Sequence, residues 1–325
     1  MKNLKTILGT LFLTAVLFSS CSKNNNDDAD IIIRATAEEF SNLQEDALAG
    51  ITQTFQFNAE DGSVSFTSDK GVDIYLNGSC LTLNGSAVTG QVDVEFVELF
   101  DKGSMLITNK PTMGILPNGD KALLISGGEF FIEATQNGVA LEATCNIQLE
   151  IPSALTGGID NAMILWNGII DEDGELAWEE EKRDGANGGG VFAEGNQYYA
   201  FLNNFGWSNV DRFYSDPRPK TTILVDVPEG YDNENSSVFL SYDGEESGLA
   251  NLDTYDATTG LFSEHYGQIP VGLECHVIFV SEENNNWKYA IQAATIVENG
   301  VITITDAETA VVTEAQLATL INGLP

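Results

Sequence analysis

The chain has 325 residues, and its 49 Asp and Glu against 14 Lys and Arg give a net charge of −35. This charge excludes nucleic acid as an expected partner, because such binding needs Lys and Arg to neutralise phosphates, and it disfavours adsorption to anionic lipid. The length predicts about two domains at ~150 residues each, and the acidic excess is interpreted as a solvated coat rather than a divalent-cation site.

Residues 1–20 have the layout of a secretory signal peptide, in which two lysines precede an uncharged apolar stretch, residues 7–18, and two serines lead to Cys21. The stretch is too short for a transmembrane helix, which needs roughly 20 residues. The segment resembles a bacterial lipobox in which Phe18 replaces the usual leucine, a change that lipoproteins of Bacteroidota commonly tolerate. This resemblance implies that cleavage leaves Cys21 as a lipidated N-terminus.

Residues 21–35 are predicted to form a polar tether, because the run Ser22–Asp30 has no hydrophobic period. The acidic residues soon after Cys21 resemble the surface-export signals of Bacteroidota lipoproteins, and Ser22 differs from the aspartate that retains such proteins at the inner membrane in other bacteria. The resemblance implies an outward-facing location on the outer membrane, with the lipid on Cys21 as the membrane contact.

Residues 36–155 are predicted to form a short helix and a first antiparallel β-sandwich. Thr36-Ala37-Glu38-Glu39 is a capping box, and apolar residues follow at helical spacing. From Thr52 to Pro152 the apolar period is two, which is typical of half-buried strands, and Asn137-Gly138 predicts a type I′ hairpin. The alternation restarts at Phe96-Val97, which indicates a bulge or a strand buried on both faces.

Residues 156–325 are predicted to form a second β-rich domain. The segments 162–170 and 175–181 predict one hairpin, Asn299-Gly300 predicts another, and the capping box Thr313-Glu314-Ala315-Gln316 opens a terminal helix. The sequence therefore predicts an all-β protein of two antiparallel sandwiches with short N-terminal and C-terminal helices.

Three cysteines follow Cys21, and an odd number allows at most one disulfide among them. Cys80 and Cys145 are the favoured pair because both fall in the first predicted sandwich. Cys275 is interpreted as a small buried hydrophobe. The sequence has no CxxC motif and no Cys/His cluster, and no cofactor is predicted.

Three runs in the first sandwich carry a resemblance: residues 90–101, residues 109–112 and residues 126–134. Together they look like a domain that recurs in Bacteroidota lipoproteins of unassigned function, and they are distantly similar to the β-sandwich of ankyrins and netrin receptors. The run Gly206–Phe213 resembles a segment that accompanies this domain. The resemblance implies a protein-interaction or structural module, since a fold does not fix a function. Self-cleavage is not expected, because the His-Phe-Ser sequence of some relatives is missing.

Candidates for catalysis are few in this sequence. His265 lies near a predicted turn and His276 in an apolar strand, with no G-x-S-x-G motif to supply a nucleophile. Glu179, Glu180 and Glu181 beside Trp178 could supply an acid and a base for a sugar-cleaving hydrolase, but an acidic strand end is the simpler interpretation.

The run from Asp171 to Glu175 raises the hypothesis of a calcium site, with Asp171 and Asp173 as ligands. It departs from the EF-hand pattern, because the position that should be glycine is Leu176. A hairpin turn is therefore the favoured interpretation, and no metal is predicted.

Seven aromatic residues lie between Tyr198 and Tyr214. If they were exposed on one face they could stack on sugars or anchor a protein, and Tyr199 and Trp207 are the candidate ligand contacts. The favoured interpretation is that the rings are buried, with Asp211 and Arg212 as a structural ion pair.

The sequence thus predicts a lipid-anchored protein of the envelope surface that acts as a non-catalytic binding or assembly module. An envelope protein or a glycan is the expected partner. A glycan-binding lipoprotein and a carboxylate-dependent hydrolase are the two alternatives.

Overall fold

The computed structural model describes residues 34–170, 174–182 and 189–325. Its helices are α1 (Ala37–Ile51), α2 (Lys102–Ile107) and α3 (Glu314–Asn322). The strands are β1 (Gln53–Asn58), β2 (Ser63–Thr67), β3 (Asp73–Asn77), β4 (Leu81–Leu83), β5 (Ser86–Ala87), β6 (Gln91–Leu99), β7 (Met113–Ile115), β8 (Lys121–Gln136), β9 (Val139–Ala140), β10 (Glu142–Ala143), β11 (Ile147–Pro152), β12 (Ile164–Ile170), β13 (Leu176–Glu180), β14 (Gly190–Glu194), β15 (Gln197–Leu202), β16 (Gly206–Phe213), β17 (Lys220–Asp226), β18 (Ser236–Tyr242), β19 (Ala250–Asn251), β20 (Thr254–Asp256), β21 (Leu261–Pro270), β22 (Glu274–Glu282), β23 (Trp287–Thr295), β24 (Gly300–Thr303) and β25 (Ala310–Val312).

Two sheets face each other in the first sandwich. Sheet A has the order β1-β6-β8-β16-β12-β13-β7, and sheet B has the order β14-β15-β11-β3-β2. Alternate residues of both sheets meet in one core, in which Phe96, Leu149 and Tyr198 are fully buried. Strands β10, β4 and β5 form a small separate sheet. The period-two pattern of the sequence therefore does correspond to strands with one buried face.

Sheet A also closes on itself at one end. Strand β7 pairs with both β13 and β8, so that β8, β16, β12, β13 and β7 form a ring. Trp166 and Trp178 are fully buried in the cluster that this ring surrounds, together with Leu124 and Leu176. The indole N–H of Trp166 donates to the backbone carbonyl of Asp211, and that of Trp178 donates to the carbonyl of Pro111. The polar N–H of each buried tryptophan is therefore hydrogen-bonded.

The second sandwich consists of sheet D (β20-β21-β17-β24) and sheet E (β19-β18-β22-β23-β25), with Val225 and Phe279 in its core. The other face of sheet E packs with the three helices and with the outward residues of β6 in a further cluster. Phe40 of α1 meets Trp287 edge to face at 6.2 Å. The helices thus lie between the two sandwiches.

The all-β class with N-terminal and C-terminal helices is confirmed. Thr36 and Thr313 cap their helices through the predicted capping boxes. Asn137 and Gly138 both have positive φ in the hairpin between β8 and β9. Val97 faces the helices while Phe96 faces the first core, so β6 is buried on both faces.

Two predictions about connectivity are wrong. The boundary between residues 155 and 156 does not separate the sandwiches, because β12–β16 complete sheets A and B and only the chain from β17 onward builds the second sandwich. Residues 34–325 moreover cluster as one compact unit. The turn at Asn299-Gly300 closes no hairpin, because β24 pairs in parallel with β17 instead of with β23. In both cases, the residues that determine the pairing are distant in sequence.

Candidate functional site

Three of the predicted site residues, Cys21, Asp171 and Asp173, lie outside the described residues. Within the described ranges, no three His, Cys, Asp or Glu side chains are grouped so that they could hold a metal ion.

Cys80 and Cys145 are joined by a disulfide, with their Cα atoms 5.7 Å apart. Cys80 directly precedes β4, and Cys145 follows β10, which pairs with β4. The bond therefore fixes the small third sheet at its end. Cys275 is a free thiol buried in the core of the second sandwich, and desolvation raises its pKa to about 12.

The aromatic segment is divided between opposite sides of the first sandwich. Tyr198 faces the core, and Tyr199 faces outward from sheet B. Trp207 lies on sheet A, where it contacts Phe131 at 5.3 Å between ring centroids, on the side of the helices. Tyr199 and Trp207 therefore do not share a surface, and Trp207 is a half-buried packing residue.

The predicted ion pair between Asp211 and Arg212 is absent from the described residues, because neighbours in a strand point to opposite faces. Arg212 instead pairs with Asp160 at 2.5 Å, while the Asp211 side chain is fully buried. One carboxylate oxygen of Asp211 accepts from Asn209 Nδ2 at 2.5 Å.

The structure brings four rings together on the outer face of sheet B, which we call the aromatic face: Tyr75, Phe192, Tyr199 and Phe201. Phe192 pairs with Tyr199 across β14 and β15, and Glu150 pairs with Tyr199 across β11. Gln148 lies between Phe201 and Tyr75. Phe192 is 54% exposed, and the other three rings are half-buried.

Contacts within the aromatic face hold its side chains in place. Phe192 and Phe201 meet edge to face with 5.9 Å between ring centroids. Gln148 Nε2 donates to Glu150 at 3.1 Å, and the Tyr199 hydroxyl donates to Gln197 at 3.1 Å. Desolvation, followed by the charge of Glu150, raises the pKa of Tyr75. The hydroxyl of Tyr75 is therefore neutral at physiological pH.

Sequence reasoning selected Tyr199 but missed Tyr75, Phe192 and Phe201 as its neighbours. Alternation with buried Ile74 and Leu76 already placed Tyr75 on the outer side of its strand. The signal that was lacking is the register of sheet B, which brings β3, β11, β14 and β15 side by side.

Neighbouring glutamates at the end of β13 point to opposite sides of the strand. Glu179 pairs with Asn167 and Glu180 with Trp166, so these two acids point to opposite sides. Glu181 accepts from the amide of Asn203 at 2.7 Å and from that of Asn167. Glu180 and Glu181 line a cavity of about 470 Å³.

Among the described residues, neither histidine lies in a relay of hydroxyl, imidazole and carboxylate. His265 Nδ1 is 2.8 Å from the Thr254 hydroxyl and 4.0 Å from Asp253 Oδ1, so one ring nitrogen faces both groups, whereas a relay uses the two nitrogens separately. His276 Nδ1 is 2.8 Å from Asp243 Oδ1.

The sequence did not predict the burial of Glu129, whereas it placed Asp211 among buried rings. Glu129 is fully buried on β8, with neither carboxylate oxygen in a hydrogen bond to the described residues, and it lies near Asp211 and Lys110. Desolvation raises the pKa of both Glu129 and Asp211 well above the ordinary range, and desolvation lowers that of Lys110. Burial thus favours the neutral form of each group.

Glu264 is also buried, in the second sandwich. Its carboxylate accepts from the backbone N–H groups of Gly267 and Gln268, each at 3.1 Å. Desolvation nevertheless raises its pKa to about 7, and the charges of Asp253 and Asp120 add to the rise.

An open groove of about 560 Å³ lies at one end of the second sandwich, between the loop 226–231, the turn after β20 and residues 303–306. Tyr255 is a half-buried ring in this groove and packs on Phe262 at 5.0 Å.

No helix in the described part of the chain has the length and apolar character needed to cross a membrane. A scan against protein-family models gives no match for this chain, and a search of curated proteins finds no similar sequence.

Proposed function

We propose that this protein is a lipid-anchored binding or assembly module of the cell envelope, with the outer membrane as its location. The signal peptide and lipobox ending in Cys21 support the anchor. The acidic body is consistent with a soluble domain held at a surface. Because the membrane contact would be the lipid on Cys21, the folded body remains available for a partner.

The single observation that carries the binding role is the aromatic face of sheet B. Scattered apolar side chains are common on protein surfaces, but a contiguous patch of rings, here exposed Phe192 beside half-buried Tyr75, Tyr199 and Phe201, is typical of an interaction site. Phe192, Tyr199 and Phe201 adjoin one another across β14 and β15. Rings supply a large contact area with few rotatable bonds, so little conformational entropy is lost when they bind.

Photo-crosslinking in intact cells tests this proposal. The crosslinker p-benzoylphenylalanine would replace Phe192, and a second variant would carry it in place of Val301, which is 59% exposed on the edge strand β24. We expect a discrete adduct with an envelope component from position 192 and none from position 301. Equal yields at both positions, or no adduct at 192, would contradict a binding role for the aromatic face.

The anchor has its own test, in which Cys21→Ala is compared with Ser22→Ala. Cys21→Ala removes the thiol that receives the lipid, so we expect the protein to leave the membrane fraction, whereas Ser22→Ala stays there. Digestion of intact cells by added protease reports whether the body faces outward. Retention of Cys21→Ala in the membrane would contradict lipid anchoring.

A further inference from the structure

We propose that the aromatic face binds a neutral polysaccharide. This inference rests on the proposed function, because it names the ligand of the face to which a binding role is assigned above. Three properties of the face support it: the arrangement of its rings, the polar groups between them and the absence of basic side chains on the described outer face of sheet B.

The rings are placed so that several sugar units could be contacted at once. Tyr199 on β15 and Tyr75 on β3 are separated by β11, and adjacent strands are about 4.8 Å apart, which places the two strands about 10 Å apart. Phe192 and Tyr199 lie in one cross-strand row, and Phe201 and Tyr75 lie in the next row, on either side of Gln148. The apolar C–H faces of pyranose rings stack on such side chains, and a row across several strands suits a chain better than a single sugar.

Hydrogen-bonding groups alternate with these rings. Gln148 and Glu150 lie on β11 between the tyrosine strands, and Asp73 pairs with Glu150 on the far side. Amides and carboxylates accept hydrogen bonds, and the amide also donates them, so together they match the hydroxyls of a sugar. The Gln148–Glu150 hydrogen bond holds both groups before a ligand arrives.

The charges of the face select among polysaccharides. The outward residues of the five strands of sheet B include Asp73, Glu150 and Glu194 but no Lys or Arg. Uronic acids, phosphates and sulfates would meet the like charges of these described side chains, which disfavours anionic polymers. A neutral polymer meets no such repulsion.

A protein is the other class of partner that exposed rings can bind. The centre of a protein interface is depleted of charged residues, whereas Glu150 lies on the central strand β11, between Tyr199 and Asp73. The mixed composition therefore favours the polysaccharide.

Affinity electrophoresis tests the inference with the mature chain carrying Cys21→Ala, which is not lipidated. Gels containing a neutral β-glucan, a mannan, an arabinoxylan or, for comparison, the anionic polymer alginate would measure retardation. We expect retardation by at least one neutral polymer and none by alginate. Tyr199→Ala and Phe192→Ser are each expected to raise the Kd about tenfold or more, as loss of a central ring does at other interfaces.

Tyr255→Ala is the matched control, because it removes a half-buried tyrosine from the groove of the second sandwich. It should leave the retardation unchanged, and circular dichroism should show that all variants keep the β-rich fold. Phe192→Ser is the variant least able to disturb folding, since this ring is 54% exposed.

Retardation that survives Tyr199→Ala and Phe192→Ser, or that is lost equally in Tyr255→Ala, would overturn the assignment to this face. Retardation only by alginate, or by none of the polymers, would overturn the inference as well. If position 192 still forms a crosslinked adduct with a protein in cells, the inference fails while the proposed binding function stands.

Discussion

Ionisation of buried Glu264 is expected to lower the free energy of unfolding as the pH rises. Glu264→Gln should abolish this decrease. The side chain is 3% exposed, and its pKa is raised from 4.5 to about 7 mainly by desolvation. A folded-state pKa above the unfolded value means that the folded state binds the proton more tightly. The favourable contribution is complete below pH 4.5 and is lost as the pH rises to about 7.

The size of this decrease in unfolding free energy follows from the pKa shift of Glu264. A rise from 4.5 to about 7 corresponds to about 3 kcal/mol, at roughly 1.4 kcal/mol per pKa unit. Gly267 N–H donates to Oε2 and Gln268 N–H to Oε1, so glutamine keeps one of these two acceptors and loses the other at every pH. Glutamine has no proton to lose, so this cost does not change with pH. The difference in unfolding free energy between the variant and the wild type should therefore grow by about 3 kcal/mol from pH 4 to pH 8.5.

Guanidinium unfolding of the unlipidated mature chain, followed by tryptophan fluorescence at several pH values, measures this difference. Glu308→Gln is the matched control with the opposite sign. Hydrogen bonds from the hydroxyl and the backbone of Thr305 lower the pKa of Glu308, so this variant should lose stability relative to the wild type as the pH rises through the acidic range. A Glu264→Gln difference that stays constant with pH would refute the reasoning.

Three further predictions concern packing, the disulfide and the buried acids. Gly168→Ala should destabilise the protein by about 1–3 kcal/mol in the same unfolding assay, because its Cβ would lie 2.4 Å from that of Trp207. Gly50→Ala, which meets no atom within 4 Å in α1, should instead gain about 0.5 kcal/mol, and equal losses in the two variants would contradict this. The double variant Cys80→Ser, Cys145→Ser should lose about 4 kcal/mol for a separation of 65 residues; an unchanged midpoint would show that the disulfide is absent or without effect. Glu129→Gln should gain stability over the wild type as the pH rises, since the raised pKa of Glu129 makes its ionisation unfavourable in the folded state, and a pH-independent difference would argue against it.

The parts of the fold that the sequence predicted correctly are those that neighbouring residues determine. The capping boxes at Thr36 and Thr313 involve residues three positions apart. The turn at Asn137-Gly138 needs only two residues that accept positive φ. The turn at Asn299-Gly300 has the same local signal, yet β24 pairs with β17, so the contacts of the second sandwich decide its connection.

The candidate site was predictable only in part for the same reason. Alternation indicated that Tyr198 and Tyr199 point to opposite sides of their strand, but it could not tell which of the two is buried. That outcome depends on the core beneath sheet B, where Tyr198 meets residues of sheet A. Glu129 carried no local signal of burial, since an acid in a strand normally indicates an outward face.

The architecture explains why Tyr199 faces solvent while Trp207 faces the helices. The outer face of sheet A, on which Trp207 lies, packs with the three helices, and the outer face of sheet E covers the other side of the same layer. In the described structure, sheet B is the sheet of the first sandwich that is turned away from this layer. Rings at outward positions of sheet A therefore serve packing, whereas those at outward positions of sheet B stay in contact with solvent. None of the four rings of the aromatic face belongs to a buried core, so the proposed ligand would cover side chains that the fold leaves open to solvent.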